Sequence, residues 1–295
     1  MPSPDLIACP PTEFFTVRNA YANKDFRLGY LRWPALGDRR GVVVAVHGLT
    51  RQKRDFDYIA RFLSVAGYEV YCVDAPGRGD SQWLDEAQDY SLLVYADIFT
   101  AFLTQTGLTG VHWLGTSMGG LLAMVMAWKG QGAFFRTLTL NDITPKPNAD
   151  ALKRISGYLS ETHPVFASPE QYEAVQRQNL PLGPVPDDVW HHYAGHQLIK
   201  TGDHYTFHFD PKLARRATVD LVGEVDLSPA FEFITCPVAL IAGSVSDLCT
   251  AQEISDMQRL VPRLRLHVVP GAGHVPALAD DATQQFILEH IRAAV

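Results

Sequence analysis

Residues 114–120 read LGTSMGG. A hydroxyl between two glycines stands where a short apolar run, Val111 to Leu114, gives way to LLAMVMAW, Leu121 to Trp128. The first run suits a buried strand and the second an apolar helix. A sharp turn between strand and helix lifts a serine away from the backbone, but it crowds the residues two positions to either side. Gly115 and Gly119 remove that crowding. A serine hydroxyl is a weak nucleophile at its free pKa, so this exposure serves chemistry only with a base in reach. The helix that follows aims its first N–H groups at the same point, where they stabilise negative charge on an attacked carbonyl oxygen. The bare G-x-S-x-G pattern arises by chance in about one chain in ten of this length, so the flanking strand and helix carry the inference.

The neighbouring segments alternate in the same way. GVVVAV, Gly41 to Val46, is a continuous apolar run of the kind buried on both faces of a parallel sheet. Asp55 to Ala66 has helical spacing and stops at Gly67. Tyr68 to Val73 is a second buried strand, and Asp89 to Thr106 is a long helix closed by Gly107. Thr137 to Leu140 is strand-like. After a break come PVALIAG (237–243, strand), Ala251 to Leu260 (helix), LRLHVV (264–269, strand) and Ala282 to Ala294 (helix). Thr12 to Val17 and Phe26 to Trp33 form an antiparallel pair ahead of the series. Alternation on this scale implies an α/β fold with a mostly parallel, doubly wound sheet. Residues 145–231 interrupt it with prolines at 145, 147, 164, 169, 181, 184 and 186 and a polar-aromatic stretch, HHYAGHQLIKTGDHYTFHFD (191–210). They are expected to be an insertion between core segments 1–144 and 232–295.

The 295 residues are 47% hydrophobic and 19% charged, enough apolar material for a large core. A net charge of -7 opposes non-specific attraction to nucleic acid or an anionic membrane, so a small-molecule partner is expected. The start of the chain lacks the basic and apolar regions of a secretory signal, and no run approaches a membrane span. A cytoplasmic address follows as the expectation. The four cysteines (Cys9, Cys72, Cys236, Cys249) are far apart and expected to be reduced.

If Ser117 is the nucleophile, it needs a base and the base an orienting acid. His274, in PGAGHVP after the last strand, suits the base because imidazole exchanges protons near neutrality. Asp247, in GSVSDLCT after PVALIAG, is expected to be the acid. Asp142, in LNDITP after an earlier strand, is its rival, expected in a supporting or loop-capping role. The loop after GVVVAV, HGLT (47–50), offers the backbone N–H of Leu49 to an oxyanion, paired with that of Met118. Gly48 lets the backbone approach, and His47 is expected to brace the loop. Arg51, Lys53 and Arg54 follow at once and would either bind a substrate carboxylate or pair with Asp55 and Asp57. Phe166, Trp190, Tyr193, Tyr205 and Phe207 would pack the insertion or line a pocket. Histidines 191, 192, 196, 204 and 208 match no compact zinc spacing, so no metal and no cofactor are expected.

Together HGLT, VDAPGRGDS (73–81), GTSMGG (115–120), the aspartate of GSVSD and the histidine of GAGH resemble the α/β-hydrolase fold family, over nearly all the chain outside the insertion. The resemblance implies a sheet of about eight strands, a Ser117–Asp247–His274 triad and a mobile helical cap at 145–231. HGLTRQKRDF and LNDITP are similar to a bacterial, esterase-like subgroup. Serine at 117 argues against dehalogenase and epoxide hydrolase members, which attack with a carboxylate. The expected activity is hydrolysis of small carboxylic esters by an acyl-enzyme on Ser117 (EC 3.1.1). C–C bond or lactone hydrolysis by the same triad is the alternative. A ligand receptor without turnover and a lyase are further expectations that the intact residue set disfavours.

Overall fold

The computed structural model describes residues 8–160, 164–214 and 225–294. In chain order the core strands are β1 (Thr12–Tyr21), β2 (Lys24–Trp33), β3 (Gly41–Val46), β4 (Tyr68–Val73), β5 (Val111–Thr116) and β6 (Phe135–Asn141). Helices α1 (Asp57–Val65), α2 (Leu92–Thr106) and α3 (Met118–Met126) are interleaved with them. Then come α4 (Ala149–Ser160), α5 (Pro169–Asn179), α6 (Asp187–Gln197) and a hairpin of β7 (Leu198–Thr201) and β8 (His204–Phe207). The core resumes with β9 (Val238–Gly243), α7 (Ala251–Leu260), β10 (Arg265–Val269) and α8 (Asp281–Arg292).

Eight strands form one sheet in the order β1-β2-β4-β3-β5-β6-β9-β10. Pairing is antiparallel at β1/β2 and β2/β4 and parallel from β4 through β10. β3 shows why a parallel strand needs apolar residues at every position. Val42, Val44 and Val46 pack into one core with α2 and α3, while Val43 and Ala45 pack into the other with α1 and α8. α1 turns Ile59, Ala60 and Leu63 to the second core; α2 turns Ile98, Phe99 and Phe102 to the first. Burying each such large side chain contributes about 1.5–3 kcal/mol.

Local chemistry sets the ends of the helices. α2 starts at Leu92, three residues later than its apolar pattern suggests, because the Ser91 hydroxyl accepts the Val94 N–H and caps it. It ends at Gly107, whose φ of 69° is left-handed. α3 starts immediately after Ser117, three residues earlier than its apolar run.

In-register parallel strands bring their following loops to one edge. Val46 pairs with Gly115, Thr116 with Asn141, Asn141 with Ile241, and Gly243 with Val269. The loops that begin at residues 47, 117, 142, 244 and 270 therefore meet. The segment between β6 and β9 lies against these loops. Tyr193 of α6 donates to the Asp55 carbonyl (2.7 Å), and Gln197 donates to that of Thr50 (2.5 Å). Behind β8, the Asp210 N–H donates to the Gly77 carbonyl (2.7 Å). The segment also has a small core of its own, Phe166, Tyr172, Ala194 and Leu198, flanked by Tyr205 and Phe207. Residues 161–163 and 215–224 of the expected insertion lie outside the described residues. No helix among the described residues is long and apolar enough to cross a membrane.

Candidate active site

Ser117 occupies a left-handed backbone position, φ 48° and ψ -112°, between β5 and α3. The turn is so tight that a Cβ on Gly115 would lie 2.5 Å from the Gly119 backbone, and one on Gly119 would lie 2.0 Å from the Val46 carbonyl oxygen. Only glycine fits at either position, as the sequence pattern requires. The Ser117 N–H donates to the Asn141 carbonyl (2.9 Å), and the Trp113 indole N–H donates to the Gly119 carbonyl (3.0 Å). Both bonds tie the turn to the sheet.

The Ser117 hydroxyl lies 3.0 Å from His274 Nε2, and His274 Nδ1 lies 2.7 Å from Asp142 Oδ2. An ionised carboxylate only accepts, so Nδ1 carries the proton and Nε2 accepts from the serine hydroxyl. Asp142 is fully buried. Its Oδ1 accepts the Gly243 N–H (2.8 Å), and its Oδ2 also accepts the Ser246 hydroxyl (2.6 Å). These donors make burial of the carboxylate tolerable and hold it facing the imidazole.

The acid expected at Asp247 is corrected by this geometry. The Asp247 side chain is 48% exposed and makes a two-point ion pair with Arg154 of α4 (2.7 and 3.0 Å). The end of β9 and the loop after it do serve the site, but through the Gly243 N–H and the Ser246 hydroxyl, which hold Asp142. The rival expectation, a supporting or loop-capping Asp142, gives way with it, because the Asp142 carboxylate itself contacts His274. Both aspartates follow a strand and precede His274 in the chain. Asp142 comes one residue after β6 ends and Asp247 four after β9 ends, and that shorter reach was the available signal. Ser246 had no signal of its own.

His47 is buried, accepting the Ala75 N–H at Nε2 (2.9 Å) and donating from Nδ1 to its neighbour's carbonyl, Gly48 (2.7 Å). Burial lowers its pKa to about 3, so it is a neutral brace between the 47–50 loop and the loop after β4. Gly48 stands over the serine, with its Cβ position 3.6 Å from the Ser117 Cβ. Arg78, also buried, donates to the Leu49 carbonyl (2.8 Å) and lies 3.3 Å from the Met118 sulfur, touching both residues expected to supply oxyanion donors. Met118 opens α3, where helix N–H groups have no intrahelical partner.

The basic cluster after HGLT is spent on ion pairs. Lys53 bridges Asp74 and Asp80 (2.6 and 2.5 Å), and Arg54 holds Asp57 (2.5 Å). Arg51 grips Asp55 through Nε and Nη2 (both 2.7 Å) and lies over the Tyr193 ring. A cavity of about 50 Å³ lies here, lined by Arg51, Thr116, Asn141, Gln176, Tyr193 and His274 among others. Of the five aromatic residues expected to line a pocket, Tyr193 is the one that lines this cavity. Phe166, Tyr205 and Phe207 pack among themselves and Tyr172, and Trp190 packs with Leu182 and Val189. Among the described residues no cluster of three or more His, Cys, Asp or Glu is arranged to hold a metal ion. His191 instead meets Glu173 (2.5 Å), and His192 meets Asp57 (3.2 Å).

The family model described as the alpha/beta hydrolase family matches residues 43–287. A 3-hydroxybutyrate-oligomer hydrolase from Cupriavidus necator is 32% identical over 265 residues, 87% of this chain and 89% of that protein. An sn-1-specific diacylglycerol lipase from Mus musculus is 26% identical over 284 residues, covering 92% and 88%. An alpha/beta hydrolase from Novosphingobium aromaticivorans has a solved structure that superposes with a TM-score of 0.85 at 26% identity, covering 98% of this chain and all of that one. With the fold, the serine turn and this extent of similarity together, the chain belongs to the alpha/beta hydrolase family.

Proposed function

We propose that the chain hydrolyses small carboxylic esters through an acyl-enzyme on Ser117. The observation that carries this reading is the unbroken relay from Ser117 Oγ through His274 to a buried, hydrogen-bonded Asp142. In the first half-reaction Oγ attacks the ester carbonyl carbon while His274 Nε2 takes the hydroxyl proton. The carbonyl π electrons move to oxygen, and the N–H groups of Leu49 and Met118 hold that oxyanion. The C–O bond to the alcohol then breaks as His274 returns the proton to it. In the second half-reaction a water loses a proton to His274 and attacks the acyl carbon. Collapse releases the acid and restores Ser117. Asp142 keeps Nδ1 protonated and the ring in place, and stabilises the imidazolium that forms in each step.

The names of the relatives support the ester class, since an oligomer of a hydroxy acid and a diacylglycerol are both joined by ester bonds. Residues 145–231 serve as a cap over the serine in this reading, supported by the bonds from α6 to the 50–55 loop. Four free cysteines support a reducing, cytoplasmic setting.

The test is release of p-nitrophenol from acetate, butyrate and octanoate esters by wild type and Ser117→Ala, with a phosphonate probe to label the serine. Turnover and labelling in wild type, both lost in the variant, are expected. Folded wild type without turnover on any ester overturns the reading in favour of C–C or lactone substrates.

A further inference from the structure

We infer that the 145–231 segment positions the base: residues 181–183 and the Tyr193 hydroxyl hold the His274 loop in place against Ser117, an inference that takes the role of His274 from the ester-hydrolase reading. A trans peptide is planar, with its C=O and N–H pointing opposite ways, so a bond at each end fixes its plane. Two peptides that flank His274 are held in this way, at one end by the core and at the other by the segment. In the first, the Ala272 carbonyl accepts the Val245 N–H (2.9 Å), and the Gly273 N–H donates to the Pro181 carbonyl (2.7 Å). In the second, the Pro276 carbonyl accepts from Asn141 Nδ2 (3.0 Å), and the Ala277 N–H donates to the Leu182 carbonyl (3.2 Å). Without the segment each peptide would be fixed at one end only.

Packing seats the segment there. Leu182 forms an antiparallel bridge with Ala272 and is buried with Val189, Trp190, Tyr193 and Ala277, so one residue of the His274 loop belongs to the same apolar cluster. Gly183, at a left-handed φ of 99°, lets the two backbones close on one another: a Cβ there would lie 3.0 Å from Val269 Cγ1 and 3.2 Å from the Ala272 Cβ. The Tyr193 hydroxyl is shared between the carbonyls of Asp55 (2.7 Å) and Ala277 (2.5 Å), and so joins the loop after β3 to the loop of the base. The placement matters because a base works only within hydrogen-bond reach of the proton it takes. His274 Nε2 is 3.0 Å from the Ser117 hydroxyl, and a displacement of about 1 Å costs about 100-fold in rate. Pro181, Leu182 and Tyr193 act through His274 and are positioning residues.

The experiment compares wild type with Gly183→Ala, Tyr193→Phe and a control, Leu198→Ala, which thins the segment's own small core. Each is read by a thermal melt, by kcat and KM on p-nitrophenyl butyrate, and by the rate at which a fluorophosphonate labels Ser117. Gly183→Ala should lower kcat and the labelling rate together by about 10- to 100-fold, with KM within about twofold of wild type. Tyr193→Phe, which keeps the ring, should lower both rates by about tenfold. Leu198→Ala should lower the melting temperature and leave both rates within about twofold. A loss in one of the two variants alone assigns the positioning to that contact; if Gly183→Ala does not fold, Tyr193→Phe decides. Labelling at the wild-type rate in both folded variants, or an equal loss of rate in Leu198→Ala, overturns the inference. Wild type that is labelled but turns over no ester overturns the ester reading alone, and the labelling rates still decide the positioning. Wild type that is not labelled overturns both.

Discussion

Asp142 and Asp247 follow neighbouring strands of one sheet at the same edge, yet folding gives them opposite chemistry. Asp142 is wholly buried, receives three hydrogen bonds and faces His274. Asp247, four residues past the end of β9, points out to Arg154 and water. A half-exposed carboxylate that is partly screened by solvent and held by an arginine on the far side has no oxygen turned to the imidazole. A buried carboxylate held by fixed donors keeps its direction. Position in the chain made both aspartates candidates; burial and fixed partners separate them.

The sharpest way to break that comparison is to neutralise each aspartate in turn. Asp142→Asn should lower kcat on a p-nitrophenyl ester by about 10³–10⁴-fold, because an amide at this position can face Nδ1 with its NH₂ and favour the wrong tautomer. Steady-state kinetics alongside a thermal melt separates this loss from unfolding. If Asp247→Asn shows the larger loss, the assignment is reversed.

Ser246→Ala should lower kcat less, about tenfold, since Asp142 keeps the Gly243 N–H and loses only the hydroxyl donor. KM should change little, because Ser246 acts on the carboxylate and not on the substrate. A loss confined to KM would contradict this role.

The rule that burial sets protonation extends to His112, buried in β5, whose pKa is lowered to about 4, chiefly by desolvation. From about pH 6.5 down to about 4 the unfolded chain binds a proton at this residue that the folded chain does not. Its contribution to stability is therefore complete above the unfolded pKa and declines, by about 1.4 kcal/mol per pH unit, as pH falls through that window. His112→Gln should flatten urea-derived stability between about pH 6.5 and about 4 by that slope. An unchanged slope would mean the histidine is protonated in the fold.

The smallest effect is expected at the aspartate that the sequence favoured as the acid. Asp247→Asn should leave kcat within about twofold of wild type and cost at most about 1 kcal/mol in a chemical melt, as for other exposed ion pairs.

Much of this molecule is legible without coordinates because the information is local. Seven residues around Ser117 encode strand, strained turn and helix, and two glycines inside them answer contacts of 2.5 and 2.0 Å that no side chain tolerates. The all-apolar GVVVAV states that both faces of its strand are covered, as they are. Spacing also marks His274, since its loop follows the last strand.

What the tertiary structure decided is long-range and directional. The sheet order sets β6 beside β9, so the end of β9 and the loop after it lend Gly243 and Ser246 to an aspartate about a hundred residues earlier in the chain. No periodicity encodes which loop side chain turns inward. The aromatic residues of 145–231 face the same limit: composition marks them as apolar, but only packing sends Phe166, Tyr205 and Phe207 into a small core and Tyr193 toward the cavity. The sequence determined the serine turn, the loop that carries His274 and the order of the elements; the fold set Asp142 rather than Asp247 against His274 and shaped the pocket, because burial and orientation come from residues distant in the chain.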